Sequence, residues 1–213
     1  MKDFWNERYG ATEFVYGKKP NAYLKEKLAK FNPGTILFPA EGEGRNAVYA
    51  AGLGWKISAF DTSTEGRKKA LILAKEHHVE IEYHTEELNG IGYKTAQFDA
   101  IALIFTHFHP EVWKEYFQHF NSYLKKGGII IFEGFSKKHS EYQEINPEVG
   151  GPKILEMLFS GQELKDDFAN FEFMEFCETE VELDEGLFHK GKGSVIHFVA
   201  RKKGSTDSVL EVF

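Results

Sequence analysis

The sequence predicts a doubly wound parallel α/β sheet, and three observations carry that prediction. Short apolar runs alternate with helix-like patterns through the first 133 residues. The first of these runs, Ile36-Leu37-Phe38, opens onto a glycine turn at Gly42 and Gly44 and then onto a helix pattern. The next run, 56–60, ends at Asp61, about 20 residues beyond the turn, where an acid can bind a ribose hydroxyl.

Residues 1–34 precede the first strand and are rich in aromatics: Phe4, Trp5, Tyr9, Phe14 and Tyr16. Such an arm either packs as core or folds over a site as a lid, and its composition favours packing. A helix is expected over 22–31, with Pro20 near its start and Asn32-Pro33-Gly34 as its stop. The helix after the glycine turn carries Ala47, Ala50 and Ala51, small enough to lie close to a sheet, and Gly52-Leu53-Gly54 ends it.

Thr62 and Glu65 have capping-box spacing, which starts a helix running towards His77. Residues 79–83 alternate as a short third strand, and 85–88 read as a loop. The continuous apolar run 98–105 suits a central strand buried on both faces. Its exit loop contains His107 and His109, and Pro110 opens a helix with Trp113, Phe117, Phe120 and Leu124 on one stripe. Residues 129–133 form the fifth strand. Beyond Gly150-Gly151-Pro152 the spacing of Ile154, Leu155, Leu158 and Phe159 is helical, and 162–168 is a further short helix. The runs 171–176, 179–183 and 194–200 alternate as an antiparallel pair joined by 184–193, and the tail from 204 is expected to be mobile.

Composition narrows the functions available. The net charge is −7 and no basic stretch is present, which argues against a nucleic-acid partner. The longest apolar runs are far too short to span a bilayer, and no signal peptide is evident. A single cysteine, Cys177, cannot close an internal disulfide, fits a reducing cytoplasm, and reads as a buried strand residue.

The turn Gly42-Glu43-Gly44-Arg45-Asn46-Ala47 also fits the dinucleotide pattern G-x-G-x-x-A. Charge discriminates between cofactors. A pyrophosphate sits on the amides of a helix N-terminus, and Glu41 and Glu43 would repel it. S-adenosylmethionine (SAM), with a sulfonium, an ammonium, a ribose and no phosphate, suits the loop better. His107 and His109 lie at the carboxyl edge, where doubly wound sheets bind ligands, and are candidate general bases. His189 is a third candidate, and a surface turn is its plainer reading. No third ligand accompanies His107 and His109, so no metal site is expected.

The motifs together resemble the class I SAM-dependent methyltransferases, in the branch containing the tellurite-resistance and thiopurine methyltransferases. The residues that carry the resemblance are Phe4-Trp5-Asn6-Glu7-Arg8-Tyr9, Val15-Tyr16-Gly17, Pro20-Asn21, Gly42-Glu43-Gly44-Arg45-Asn46, Leu124-Lys125-Lys126-Gly127-Gly128, Gly150-Gly151-Pro152, and Glu185-Gly186 with His189-Lys190-Gly191. The resemblance implies a single Rossmann-like domain over 1–203. Its seven-stranded sheet would have order 3-2-1-4-5-7-6, the last strand antiparallel and helices on both faces. It implies methylation of a small-molecule acceptor, with a thiol or chalcogen preferred. The alternatives are a SAM-binding protein without catalysis and an NAD-dependent oxidoreductase.

Carried over by position, the resemblance implies a cofactor site of Trp5, Tyr9, Glu41, Gly42, Gly44, Arg45, Asn46, Asp61, Thr62, Glu87, Leu88 and Phe105. It implies that Tyr16 reaches the reaction centre from the arm. The sequence departs from the family's D-x-G-x-G-x-G loop at Phe38 and Ala40, and Glu41 stands in for the missing acid.

Overall fold

The computed structural model describes residues 2–204. Seven strands form one sheet in the order β3-β2-β1-β4-β5-β7-β6. They are β1 (Thr35–Pro39), β2 (Lys56–Phe60), β3 (Glu82–His84), β4 (Phe98–Ile104), β5 (Leu124–Phe135), β6 (Phe171–Glu185) and β7 (His189–Lys202). β1 to β5 pair in parallel, and β7 runs antiparallel to both β5 and β6. This is the expected order, with the expected single reversal.

The helices are α1 (Lys2–Tyr9), α2 (Ala22–Leu28), α3 (Arg45–Gly52), α4 (Thr64–Glu76), α5 (Leu88–Ile91), α6 (Pro110–Tyr123), α7 (His139–Ile145) and α8 (Gly161–Asp167). Alternate residues of β4 face opposite layers. Ala100 and Ala102 lie with Leu24, Ala47, Ala50 and Ala70 of α2, α3 and α4; Ile101 and Leu103 lie with Trp113 and Phe120 of α6, Leu164 of α8 and Phe168 at its C-cap. Small side chains on one face let α3 approach closely, and large ones fill the other. Each buried Phe contributes about 1.5–3 kcal/mol relative to exposure.

Several local expectations are corrected. α4 is capped by Ser63 rather than Thr62: Ser63 Oγ accepts from Gly66 N at 3.1 Å. Residues 154–159 contain only a 3₁₀ turn, Leu155–Met157, whereas α7 forms where no helix was expected. Residues 171–185 are one strand rather than two, and the turn to β7 is only residues 186–188. Cys177 is exposed, because β6 is the sheet edge. The tail expectation falls, from residue 205, outside the described residues.

Two non-glycine residues hold left-handed backbone at the carboxyl ends of adjacent strands: Ala40 after β1 (φ 50°) and Phe105 after β4 (φ 51°). Each costs on the order of 1–3 kcal/mol and is kept only where the surroundings enforce it. Both mark the edge where the candidate site lies.

Candidate active site

The glycine turn is shaped by close contacts. Gly44 is the α3 N-cap at φ 85°, and a Cβ there would lie 2.5 Å from Ala70 Cβ of α4. Gly42, at φ 62°, would place a Cβ 2.6 Å from Tyr9 Oη. Tyr83 Oη donates to Gly42 O at 2.6 Å. Asp61 reaches back from β2: its Oδ2 accepts from Gly42 N (3.1 Å) and its Oδ1 from Ser63 N (2.8 Å). Burial raises its carboxyl above the ordinary range, against the lowering by those backbone donors.

Glu41 accepts from the first amides of α3, Asn46 N (2.9 Å) and Ala47 N (2.7 Å). Burial pushes it up to about 7, although these amides and Arg45 favour the charged form. The donor set decides which cofactor fits. The helix amides that would hold a pyrophosphate are already taken by the protein's own carboxylate. The loop instead presents two desolvated acids, Glu41 and Asp61, whose direct partners are backbone amides. Those acids suit a ligand that brings a cationic centre and hydroxyl donors, which is the chemistry of SAM.

The arm is tied across this loop. Glu43 Oε2 accepts from Val15 N (2.7 Å), and its Oε1 pairs with Lys69 (2.8 Å). Asn46 Oδ1 accepts from Asn21 N at 2.9 Å. Asn6 Oδ1 accepts from Ser63 Oγ at 2.8 Å, and Trp5 stacks on Tyr9 with ring centres 5.3 Å apart. The turn after β6 completes the tie, where Leu187 N donates to Val15 O at 2.7 Å.

The histidines sort differently from the sequence expectation. His107 has both ring nitrogens engaged by main chain: Nδ1 donates to Met157 O (2.8 Å), and Nε2 accepts from Phe135 N (3.2 Å). Burial lowers it to about 4. It is a neutral brace with no nitrogen left for a substrate proton. His109 is exposed, 3.9 Å from Glu111. His189 is buried and contacts Tyr16 of the arm at 4.7 Å and Phe105, just after β4, at 4.8 Å between ring centres. Its Nδ1 donates to Glu185 Oε2 at 3.0 Å, and its Nε2 has no hydrogen-bond partner among the described residues.

Glu185 also pairs with Arg45 Nη2 at 2.9 Å, and Arg45 Nη1 donates to Tyr16 O at 3.3 Å. Burial alone would raise Glu185, but His189 and Arg45 outweigh it and hold the carboxyl at about 2. Trp5, Tyr9, Tyr16, Glu41, Gly42, Arg45, Asp61 and Phe105 thus lie in one connected patch with His189 and Glu185. Thr62 follows Asp61 and is partly buried; Glu87 is exposed before α5; Leu88 packs in the core with Phe60. Among the described residues no three metal-ligating side chains converge, and no helix is long and apolar enough to cross a membrane.

The methyltransferase domain family matches residues 36–128, from β1 into β5. Residues 36–128 form a methyltransferase domain. Solved structures share the fold well beyond that span. One, described for the conversion of a disulfide bond into a thioacetal group during echinomycin biosynthesis, is 17% identical with TM-score 0.76, covering 98% of this chain and 95% of its own. TehB from Haemophilus influenzae is 19% identical with TM-score 0.68, covering 95% and 67%. Magnesium protoporphyrin IX methyltransferase (ChlM) from Synechocystis PCC 6803, with bound SAH, is 15% identical with TM-score 0.65, covering 94% and 93%. No curated protein matches the sequence.

The fold is that of the class I SAM-dependent methyltransferases, whose cofactor is SAM, and residues 36–128 match a methyltransferase domain family. The feature of this site that local sequence pattern undervalues is the Glu185–His189 pair. Its signal was the spacing of four across a Gly-containing turn. That signal gains meaning only once Tyr16 and Phe105 are seen to bury the imidazole.

Proposed function

We propose that this methyltransferase acts in the cytoplasm, as one unit over residues 1–203, on a small-molecule thiol or related chalcogen acceptor. The observation that carries the reading is the free Nε2 of buried His189, oriented by Glu185 and walled by Tyr16, Phe105 and Phe135. SAM, when bound, supplies an electrophilic methyl group on a sulfonium. Asp61 would accept from its ribose hydroxyls, and Glu41 would face its ammonium. Gly42 and Gly44 would shape the turn beneath it, with Arg45 and Asn46 at the start of α3. Thr62, Glu87 and Leu88 would border the adenine, and Trp5 and Tyr9 would cover it.

His189 Nε2 would take the proton that a thiol loses as its sulfur gains the methyl group; Glu185 keeps the ring in the Nδ1–H tautomer that leaves Nε2 basic. The aromatic walls exclude water and strengthen these electrostatic terms. Sulfur chemistry is also named for the echinomycin-related structure of similar fold, which supports the preference.

The test is calorimetric titration of S-adenosylhomocysteine into wild type and Asp61→Ala, with NAD as control, followed by a thiol panel read as S-methyl product. Binding of S-adenosylhomocysteine but not NAD, its loss in the variant, and methylated thiol are expected. Binding without turnover of any thiol, chalcogen or hydroxyl compound would instead indicate a SAM-binding protein without catalysis.

A further inference from the structure

We propose that Arg8, with Tyr16, recognises an anionic group on the acceptor, so that the substrate is a planar apolar molecule carrying a carboxylate or similar anion. The reading rests on the proposed site and narrows its substrate class.

The Arg8 guanidinium lies 4.5 Å from the Phe4 ring centre, 4.6 Å from Phe188 and 5.3 Å from Trp5. Its Nη1 donates to Tyr16 Oη at 3.1 Å. Among the described residues, no carboxylate pairs with Arg8. The neighbouring cations differ in this respect: Arg45 is held by Glu185 and Lys69 by Glu43. The aromatic contacts fix the planar fork without neutralising it, which leaves unused N–H donors in a set direction. Burial keeps the Tyr16 phenol protonated, so its O–H is a second donor beside the fork.

Position ties this cation to the reaction centre. Tyr16 contacts His189 at 4.7 Å and Phe188 at 6.4 Å between ring centres. Phe4 and Phe188, 52% and 40% exposed, form an open aromatic rim on either side of Arg8. Exposed rings around an uncompensated guanidinium suit a flat molecule with an acidic group. In a chain of net charge −7, an anion needs such a local cation.

The experiment compares thiophenol with 3- and 4-mercaptobenzoate as acceptors for wild type, Arg8→Gln and Arg8→Lys. Losing a hydrogen bond to a charged group costs roughly ten- to a hundredfold. Wild type should prefer a mercaptobenzoate by about tenfold or more in kcat/KM, mainly through KM. The preference should collapse towards one in Arg8→Gln and be partly kept in Arg8→Lys. No preference in wild type, or an undiminished one in Arg8→Gln, overturns the proposal. If no thiol is methylated, only the thiol reading fails. Calorimetry of 4-(methylthio)benzoate against thioanisole, on protein loaded with S-adenosylhomocysteine, then decides the Arg8 assignment. Carboxylate-dependent binding that Arg8→Gln abolishes supports it, and equal affinities overturn it.

Discussion

Glu185 and His189 face each other across the turn between β6 and β7, Oε2 to Nδ1 at 3.0 Å, with Arg45 closing on the same carboxylate at 2.9 Å. One largely buried acid thereby fixes a ring tautomer and anchors the start of the helix that follows the glycine turn.

The pair has a pH signature. Glu185 has its carboxyl depressed from 4.5 to about 2 in the folded state. A depressed acid stabilises fully above its unfolded value and loses that contribution as pH falls through the folded value. Glu185→Gln should cost on the order of 3 kcal/mol at pH 7. The difference from wild type should shrink between about pH 5 and pH 2, as read by urea unfolding across that range.

His107 and His189 separate stability from chemistry. His107→Asn leaves the Met157 carbonyl and the Phe135 amide without their partner, so a loss of about 1–3 kcal/mol is expected with kcat retained. His189→Asn should lower kcat by roughly 10²–10⁴. Parallel melting curves and initial rates check both; a large kcat loss in His107→Asn would contradict its assignment as a brace.

Glu41 works in the opposite sense to Glu185. Its carboxyl is raised from 4.5 to about 7, so the folded state prefers the proton that the unfolded chain releases. Ionisation therefore costs stability above pH 4.5, in full by about pH 7. Glu41→Gln should stabilise the free protein by up to about 3 kcal/mol at pH 8 and by little at pH 4.5. The same change should weaken S-adenosylhomocysteine binding. Unfolding and titration on one preparation measure both.

Gly44→Ala should destabilise by about 3 kcal/mol or more, combining left-handed strain with the clash against Ala70. The double variant with Ala70→Gly should recover the clash component and leave the backbone component. Differential scanning calorimetry of the two separates them.

The parallel half was legible because its signals are local. The run 98–105 is apolar throughout since both faces of β4 are covered, and Asp61 follows its glycine turn at a spacing set by one β-α-β unit. What failed to show was set by distant contacts. α1 is polar and charged around Phe4 and Trp5, and it forms where Asn6 and Tyr9 dock on Ser63 and Gly42. The segment around His189 reads as an exposed turn, because Tyr16 and Phe105, which cover the ring, come from elsewhere in the chain. Cys177 alternates like a buried strand residue, but edge position depends on strand order, which no local pattern encodes.

The tie between Leu187 N and Val15 O has a consequence for biosynthesis. Val15 leaves the ribosome well before Leu187, which follows it by 187 − 15 = 172 residues. At about 5–20 residues per second, the arm waits some ten seconds or more for its fastening. Through that interval the nascent chain can pair β1 with β2 and begin its sheet, but the arm is not yet tied to the β6–β7 turn. Fastening of the arm across the glycine turn is thereby deferred until Leu187 has been made.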